Sequence, residues 1–531
     1  MPEVDFVRAF QLLKKSKDNG IAISFTNEEL YVRFQKGKAP DPDLLDELRD
    51  NKRHLIGYFK NFKIIPGATA EMKALPDSFE YKGERYFVIS PVQLYWVDDQ
   101  IDIEYKKNDN IHGTVIRSFR IEGVLDTEIL KRTISYLVRR HESLRTTFHK
   151  LDGGYFMKVQ RADAYPPFPE IIDRPEEYAG DESALRRLAA FQGHAFDMET
   201  GPLFLVRLIR MADRKYVLSF KIHHIIFDSV SFTALQRDFF VAYEDLKEGR
   251  EPGLPVLTFQ LKEYLSLVNA HARKEGDNDR KYWGELYRDL PPELMIPGVR
   301  RISNKVKDKI FRTERNFCFS KELAGKFNVL AGRFSTSLFV ILQATFKDYF
   351  FRLTGQNDIM IGTYIFGREH PGCEDQIGCY AKTVLIRTLL DDRDTVYDLI
   401  GKVIRSNEEM RVHQAFSLKE YLEELLPPDH SKGRIFWNVN MQFSDAGKSP
   451  PRDPPAGNNS RRPDVTIEYM HIPGLGNSLI QHDMQLQFYY SNGELKMDIQ
   501  YDGCLYDSAI LRKFMDGYFI HVGEMLKRSG I

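Results

Sequence analysis

The sequence predicts a mixed α/β protein built from more than one compact unit. Its 531 residues exceed what a single hydrophobic core usually organises, because domains mostly contain about 100–200 residues. With 42% hydrophobic and 28% charged residues, the composition is that of a globular protein. Short alternating apolar runs are interspersed with stretches of helical spacing, which predicts strands and helices within the same domains.

Residues 1–62 form a small predicted unit of their own. Apolar residues recur at helical spacing from Phe6 to Leu13, and two alternating runs follow at Ile21–Phe25 and Leu30–Phe34. The short polar segment between these runs predicts a β-hairpin. A further helix is predicted to start near Pro42.

Two larger lobes of similar α/β character are predicted after a linker at residues 63–84, which contains Pro66, Gly67 and Pro76. The first lobe covers residues 85–272, and the polar stretch at 274–279 predicts a break before the second lobe at 273–531. A Pro-, Gly- and Asn-rich stretch at 445–463 predicts a long loop. Elements predicted in the first lobe are a strand at Ile111–Gly123, a helix at Asp126–Glu142, a hairpin within Arg145–Gln160, a strand at Tyr216–Ile226 and a helix at Ser231–Gly249.

Charge and composition exclude several classes of function. A formal net charge of −1 argues against broad nucleic-acid binding, which needs a strongly basic face. The four cysteines show no spacing typical of a metal site, and no apolar run approaches the ~20 residues of a membrane span. The N-terminus lacks the apolar core of a signal peptide. We therefore expect a cytoplasmic protein without metal, nucleic acid or membrane as a partner.

The strongest chemical signal lies on the predicted strand from Val217 to Asp228, which carries His223 and His224. Side chains alternate along a strand, so His224 is predicted to share a face with Asp228 while His223 points to the other face. A single histidine on an apolar strand is more often a packed core residue than a catalyst. Two histidines, an aspartate four residues later and a following helix form a much rarer pattern, which predicts an active site.

Several motifs together carry a family resemblance. The segment from His223 to Ser229 resembles the HHxxxDG signature of condensation domains, the chloramphenicol-acetyltransferase-like domains of nonribosomal peptide synthetases. The resemblance covers about residues 85–531, and the motifs occur in the family's order. The other similar segments are Ser90–Trp96 (S-x-x-Q-x-x-x-W), Arg140–Phe148 (RHExLRTxF), Phe196-Asp197 with Gly201–Leu203, Ile361–Thr363 (IGTP), Gly367-Arg368 and Ile377–Thr383 (IGFFVNT).

This resemblance implies two chloramphenicol-acetyltransferase-like lobes that form a V with a tunnel between them. It also implies amide formation between a donor acyl or peptidyl thioester and an acceptor aminoacyl thioester, both carried on phosphopantetheine arms of carrier proteins. The chain itself is then expected to bind no cofactor. By similarity His224 is the catalytic histidine, His223 is a packing residue, and Asp228 forms a structural ion pair with Arg368.

Three residues depart from the family's pattern. Ser229 replaces the glycine of the signature and is expected at a narrow part of the substrate tunnel, where glycine lets the backbone come close to the substrate. Lys382 stands where the family usually has asparagine, and Ala381 beside it replaces a valine. These departures tune substrate choice, slow the reaction or mark an inactive domain.

Residues 1–62 resemble TubC-like docking domains, which precede condensation domains. The resemblance implies that the C-terminal tail of an upstream synthetase protein adds to the edge of the hairpin as a β-strand. Arg33, Lys36 and Lys38 lie on or just after the second strand and favour an acidic partner. The expected partners are this tail, the upstream donor carrier protein and the downstream acceptor carrier protein.

Two related kinds of domain fit the motifs less well. Heterocyclisation domains replace the histidines with aspartate, whereas this chain has both. Epimerisation domains carry an EGHGRE-like segment, and none occurs here. A free-standing acyltransferase and a catalytically degenerate domain that serves as a carrier-protein scaffold both stay open as alternatives.

Overall fold

A computed structural model describes most of the chain. The described residues are 12, 15–16, 21–26, 29–34, 41–56, 78–90, 93, 97, 113–151, 154–163, 170–173, 186, 191, 196–257, 259–299, 311–368, 370–414, 437–444, 465–470, 482–491 and 493–530. They fall into two compact units. One unit comprises residues 1–74 and 327–341, and the other comprises residues 75–326 and 342–531. The boundaries predicted between the lobes stay predictions.

The regular elements confirm the mixed α/β fold class. The helices are α1 (Pro42–Asp50), α2 (Thr127–Arg140), α3 (Ser229–Lys247), α4 (Leu261–Tyr287), α5 (Lys321–Arg333), α6 (Leu338–Thr354), α7 (Val396–Val412) and α8 (Ser508–Arg528). The strands are β1 (Ile21–Thr26), β2 (Glu29–Phe34), β3 (Ser78–Tyr81), β4 (Glu84–Val88), β5 (Thr114–Gly123), β6 (Thr146–Leu151), β7 (Gly154–Val159), β8 (Glu170–Asp173), β9 (Phe204–Ala212), β10 (Lys215–His223), β11 (Phe311–Cys318), β12 (Asp358–Ile365), β13 (Lys382–Leu389), β14 (Val439–Ser444), β15 (Val465–Met470), β16 (Met484–Ser491) and β17 (Glu494–Asp502).

The N-terminal unit contains the predicted hairpin. Strands β1 and β2 pair antiparallel, with Ile21 opposite Phe34 and Ile23 opposite Val32. Helix α1 begins at Pro42, and Asp41 caps it by accepting the Asp43 N–H at 3.1 Å. The core of this unit is small, and its buried members are Leu12, Ile21, Leu44, Leu48 and Leu55. The helix predicted between Phe6 and Leu13 lies largely outside the described residues.

The first-lobe sheet has the strand order β15-β5-β10-β9-β8. Strand β10 is central and pairs antiparallel with β5 and β9, so both of its edges are satisfied. Apolar side chains of β5 and β10 pack against α3, as in the stacked rings of Phe119 and Phe232, whose centroids are 6.0 Å apart. The strand that ends in the histidine pair is therefore held firmly from both sides.

The second-lobe sheet has the strand order β11-β17-β16-β14-β12-β13. Strand β14 pairs in parallel with β12 and β16, and the other pairs are antiparallel. Strand β15 follows β14 in the chain but pairs with β5 of the first-lobe sheet. This exchange of a strand was not predicted from the sequence.

Regular structure occurs in parts of two predicted connections. The predicted linker at 63–84 ends in strand β3 and the start of β4, which form a four-stranded antiparallel sheet with β7 and β6. The polar stretch at 274–279 lies inside helix α4 and produces no break. Gly276, Asp277, Asn278 and Asp279 are weak helix formers, so local propensity alone favours a break. The apolar residues Leu265 and Trp283 on either side are buried, and their packing keeps the helix continuous through the polar segment.

Three further sequence-based predictions concern a hairpin, a loop and the absence of a membrane span. The hairpin of β6 and β7 confirms the prediction within Arg145–Gln160. The loop predicted at 445–463 lies outside the described residues. Among the described helices, none has by itself the length and apolar composition to cross a membrane, although the sharply bent pair α5 and α6 meets those two criteria together.

Candidate active site

The histidine pair lies where strand β10 ends, and the structure corrects the predicted strand at this point. The strand stops at His223, and His224–Ile226 form a single 3₁₀ turn. The His224 backbone N–H still donates to the Gly113 carbonyl at 2.6 Å. The two histidine side chains therefore diverge because the backbone turns, and not because a regular strand alternates through to Asp228.

The His224 ring has a defined orientation. Its Nδ1 lies 3.0 Å from the Phe227 carbonyl oxygen. A carbonyl oxygen can only accept a hydrogen bond, so Nδ1 carries the proton and Nε2 holds the lone pair of the neutral ring. The side chain is half-buried. This arrangement presents a fixed basic nitrogen, which is what a group that handles the proton of an amine requires.

His223 lies on the other side of the turn and is buried. Its Nδ1 accepts the Ile225 N–H at 3.1 Å, so this ring stabilises the 3₁₀ turn that carries His224. The ring also packs edge-on against Phe196, with centroids 5.7 Å apart. Lys221, two residues earlier on β10, places its ammonium 4.8 Å from the same Phe196 ring, and burial followed by the neighbouring Arg207 lowers the pKa of Lys221 to about 8.

Asp228 is a buried acceptor for several donors. It caps helix α3, because its Oδ1 accepts the Ser231 N–H and the Ser231 hydroxyl, both at 2.8 Å. The same oxygen lies 2.7 Å from Arg368 Nη2, and Oδ2 accepts the Tyr380 N–H at 3.2 Å. The ion pair between Asp228 and Arg368 is therefore present, and it connects the start of α3 to the segment between β12 and β13.

The segment that carries Arg368 is folded around the guanidinium. Arg368 Nη1 donates to the carbonyl oxygens of Cys373 and Gln376 at 2.5 and 2.8 Å, and its guanidinium stacks 4.2 Å above the Tyr380 ring. Gly367 has φ +62°, and a Cβ there would lie 2.1 Å from the Tyr380 carbonyl oxygen. A side chain at Gly367 would thus push the two backbone segments of this contact apart.

Helix α3 is anchored at a second buried point by the Arg140–Phe148 motif. Arg140 Nε and His141 Nε2 lie 2.7 and 2.9 Å from Asp238 Oδ2. Although burial opposes it, the hydrogen bonds from His141 and Arg140 lower the pKa of Asp238 to about 2. Burial lowers the pKa of His141. The first two residues of this motif therefore hold α3 in place, ten residues beyond its cap.

The opening motif, Ser90–Trp96, supports the same turn. Ser90 and Gln93 bond reciprocally, since each side-chain oxygen accepts the backbone N–H of the other at 3.1 Å. The fully buried Gln93 amide also donates to the Ile225 carbonyl at 3.5 Å. Sequence reasoning noted the motif without assigning Gln93 to the histidine turn. It missed Asp238 and Tyr380 because their partners lie far away in the chain. It also missed Ser231, which caps with the nearby Asp228 but bonds the distant Arg368 and Gly378 as well.

Two of the three departures from the family pattern, Ser229 and Lys382, lie near this network. Ser229 is the first residue of α3 and is exposed, more than expected of a residue in a constriction, so the constriction stays a prediction. Lys382 begins β13, two residues after Tyr380, and is half-buried. Its ammonium donates to the Gln414 carbonyl at 3.4 Å and lies 6.0 Å from the Tyr264 ring.

The predicted docking residues are only partly described. The backbone of Arg33 pairs with Ala22 in the hairpin, and the Arg33 side chain as well as Lys36 and Lys38 lie outside the described residues. Strand β2 nevertheless exposes Val32 and Phe34, at 39% and 48% of their surface. In the part of the chain that the structure describes, His, Cys, Asp and Glu side chains form no group able to hold a metal ion.

Comparison with known families gives a match over most of the chain. Residues 107–528 match the family model for the Condensation domain. Among curated proteins, one of the proteins that make up linear gramicidin synthase in Brevibacillus parabrevis is 30% identical over 312 residues, which are 58% of this chain and 6% of that protein. Tyrocidine synthase 3 of the same organism is 27% identical over 335 residues, which are 62% of this chain and 5% of that protein. The chain thus spans a small part of these relatives.

Solved structures share the fold. The X-domain in its complex with OxyB from teicoplanin biosynthesis is similar, with a TM-score of 0.69 at 17% sequence identity. The superposition covers 85% of this chain and 95% of the X-domain chain. The first condensation domain of the calcium-dependent antibiotic synthetase, in complex with a substrate analogue, has a TM-score of 0.61 at 16% sequence identity. The superposition covers 83% of this chain and 96% of that domain's chain. At these identities the likeness shows the fold alone.

Proposed function

This chain belongs to the condensation-domain family, and from that premise we propose that it joins a donor acyl or peptidyl thioester to an acceptor aminoacyl thioester through an amide bond. As a member of the family it is a peptide-bond-forming acyltransferase with a chloramphenicol-acetyltransferase-like fold. The proposed substrates arrive on the phosphopantetheine arms of an upstream donor carrier and a downstream acceptor carrier. The domain itself uses no bound cofactor, and its proposed location is the cytoplasm.

The orientation of His224 carries this proposal. With Nδ1 held by the Phe227 carbonyl, Nε2 is the ring nitrogen that accepts a proton. The acceptor amine attacks the thioester carbonyl carbon, the carbon–sulfur bond breaks, and the proton from the amine passes by way of Nε2 to the departing thiolate. Because both substrates are tethered, their positioning supplies much of the acceleration.

The network around Asp228 has a structural role in this proposal. Its carboxylate is occupied by donors from Ser231, Arg368 and Tyr380, so it does not face a substrate. It instead holds the start of α3, and with it the residues just after the His224 turn, against the segment that contains Arg368. This contact keeps the basic nitrogen in a fixed place.

Replacing His224 by alanine tests the mechanism. We expect His224→Ala to lower product formation from two loaded carriers on the order of 100-fold, the range of a positioned acid–base group. His149→Ala is the matched control, because it removes a half-buried histidine from β6. Single-turnover assays with mass detection would measure the product, and circular dichroism would check the fold. Wild-type rates in His224→Ala would refute the proposed role.

A scaffold function is the second candidate, favoured by the fold similarity to an X-domain found in complex with OxyB. A scaffold needs no basic nitrogen, so it predicts that wild-type protein and His224→Ala form equally little product while both bind a carrier. The same single-turnover assay therefore separates the two functions.

The hairpin of the N-terminal unit supports the finer proposal of a docking tail. Cross-strand partners share a face of the hairpin, so Val32 and Phe34 lie on the same face as Ile23 and Ile21. Ile21 belongs to the core of this unit. The exposure of Val32 and Phe34 leaves an apolar strip beside the edge of β2. A strand added there would gain backbone hydrogen bonds and cover the strip. The proposed occupant is the C-terminal tail of an upstream synthetase protein.

A further inference from the structure

One face of the second-lobe sheet contains a row of buried side-chain amides that the mechanism above does not use. Asn440 on β14 lies opposite Gln485 on β16, and Gln442 lies opposite Gln487 two residues further along. Side chains two residues apart on a strand share a face. Asn440, Gln485 and Gln487, which we call the amide row, are each more than nine-tenths buried.

The amide row has hydrogen-bonding capacity that the protein leaves unused. Within the described structure, both Asn440 side-chain atoms, Gln485 Nε2 and Gln487 Oε1 are shielded from solvent and have no hydrogen-bond partner. The Trp437 Nε1–H beside them is likewise without an acceptor. Buried polar groups in native proteins are almost always paired, and an unpaired one lowers the free energy of unfolding. So many unpaired amides on neighbouring strands need an explanation.

Gly362 of the Ile361–Thr363 motif makes room for this arrangement. It lies opposite Asn440 across β12 and β14. A Cβ at Gly362 would lie 2.2 Å from Trp437 Nε1 and 2.7 Å from Asn440 Oδ1. Trp437 and Asn440 therefore both lie against the bare backbone of Gly362. A larger residue at this position would displace both side chains.

The amide row is connected to the active site through β12. Arg368, which holds Asp228, follows Gly362 by six residues, a distance of at most about 20 Å along the chain. The ends of the row reach the surface, since Trp437 on one side and Gln442 and Ser444 on the other are half-exposed. Both ends of the row can therefore be approached from the solvent.

We propose that the amide row, with Trp437, is a subsite that binds secondary amides of the substrate chain, so that this domain favours donors with peptide bonds over plain fatty-acyl donors. Asn440 offers both a donor and an acceptor, which matches the N–H and C=O of one peptide unit. Gln485 Nε2 and Gln487 Oε1 offer the same pair to the next unit. Because the amide atoms are shielded from solvent, ligand binding requires the half-exposed Trp437 indole to rotate aside. This inference rests on the proposed function.

Secondary amides have two sources, the peptidyl donor and the pantetheine arm itself. Two stable thioether analogues distinguish them: a dipeptidyl-pantetheine and an octanoyl-pantetheine, which share the arm but differ in the donor. We expect Asn440→Leu in the full chain to lower the binding affinity for the dipeptidyl analogue about tenfold, as measured by calorimetric titration. A loss of this size is usual when hydrogen bonds to a ligand are removed. Binding of the octanoyl analogue should stay within about twofold. Equal losses for both would assign the row to the arm.

Asn438→Leu is the matched control for stability. Asn438 is a buried amide two residues before Asn440, and it is satisfied by the Leu294 N–H at 2.9 Å and the Leu294 carbonyl at 2.8 Å. We expect Asn438→Leu to lower the melting temperature of the ligand-free protein. Asn440→Leu and Gln485→Met should leave it unchanged or raise it, because they remove unpaired amides.

Unchanged affinity for both analogues in Asn440→Leu and Gln485→Met would overturn the subsite. A melting temperature as low as that of Asn438→Leu would also overturn it, because the amides would then be structural. Binding of analogues is measured without turnover. The subsite can therefore fail while wild-type protein still condenses loaded carriers, and a domain that never condenses is recognised separately.

Discussion

Removing the carboxylate of Asp228 is the most direct test of how the site is held together. The side chains of Asp228 and Arg368 expose only 4% and 6% of their surface. Asp228→Ala leaves the guanidinium with its backbone carbonyl acceptors but no counter-charge, and it leaves the Tyr380 N–H without its acceptor. Breaking one partner of a buried ion pair costs about 3–5 kcal/mol, and the lost helix cap is part of that cost.

Companion variants separate the charge from the cap. Asparagine is as good an N-cap as aspartate, so Asp228→Asn should retain the Ser231 N–H bond and cost about 2 kcal/mol. In Arg368→Met the carboxylate keeps its bonds from Ser231 and Tyr380, so this change should cost less than Asp228→Ala. The double variant should be about 2 kcal/mol more stable than the sum of the single changes predicts.

An exposed pair supplies the control. Arg237 on α3 bonds Asp375 in the same segment that holds Arg368, but the two side chains expose 41% and 50% of their surface. Asp375→Ala should cost about 0–1 kcal/mol, as exposed ion pairs do. Urea titrations followed by tryptophan fluorescence measure all of these variants. Additive effects of Asp228→Ala and Arg368→Met, or equal costs at Asp228 and Asp375, would refute the buried-pair reasoning.

Two further predictions concern a buried lysine and the hairpin. Lys347 donates to the Ile386 carbonyl and the Thr388 hydroxyl at 3.0 and 2.7 Å, and burial lowers its pKa to about 7 from 10.5. Between pH 7 and 10.5 the unfolded chain therefore binds more protons at Lys347 than the folded chain does. The free energy of unfolding should then rise by about 1 kcal/mol per pH unit from pH 7 to 9, as measured by urea titration. Lys347→Met should lose this rise. Phe34→Lys should raise the concentration of upstream carrier needed for half-maximal condensation several-fold while leaving the rate at saturating carrier unchanged. A pH slope that survives Lys347→Met, or an unchanged carrier dependence in Phe34→Lys, would contradict these predictions.

Local patterns in the sequence were sufficient for most elements outside the site. The hairpin at Ile21–Phe34, the helix predicted at Asp126–Glu142 and the hairpin of β6 and β7 were all predicted from apolar alternation and helical spacing. These features depend on neighbours within a few residues, which the sequence displays directly. The predicted break at 274–279 failed for a related reason. A polar stretch resembles a loop, yet the buried residues on both sides of it keep α4 helical.

By itself the sequence determined the chemistry that is available: two histidines, an aspartate and an arginine in the order of a known family. Only the tertiary structure decided how they are arranged. The turn after His223, the exchange of β15 into the first-lobe sheet and the amide row all depend on contacts between distant residues. Ser231, Asp238 and Tyr380 are ordinary residues in the sequence, and they acquire a role because the fold buries a charge beside them. A buried charge must be paired wherever its partner lies in the chain, and that partner is visible only once the chain has folded.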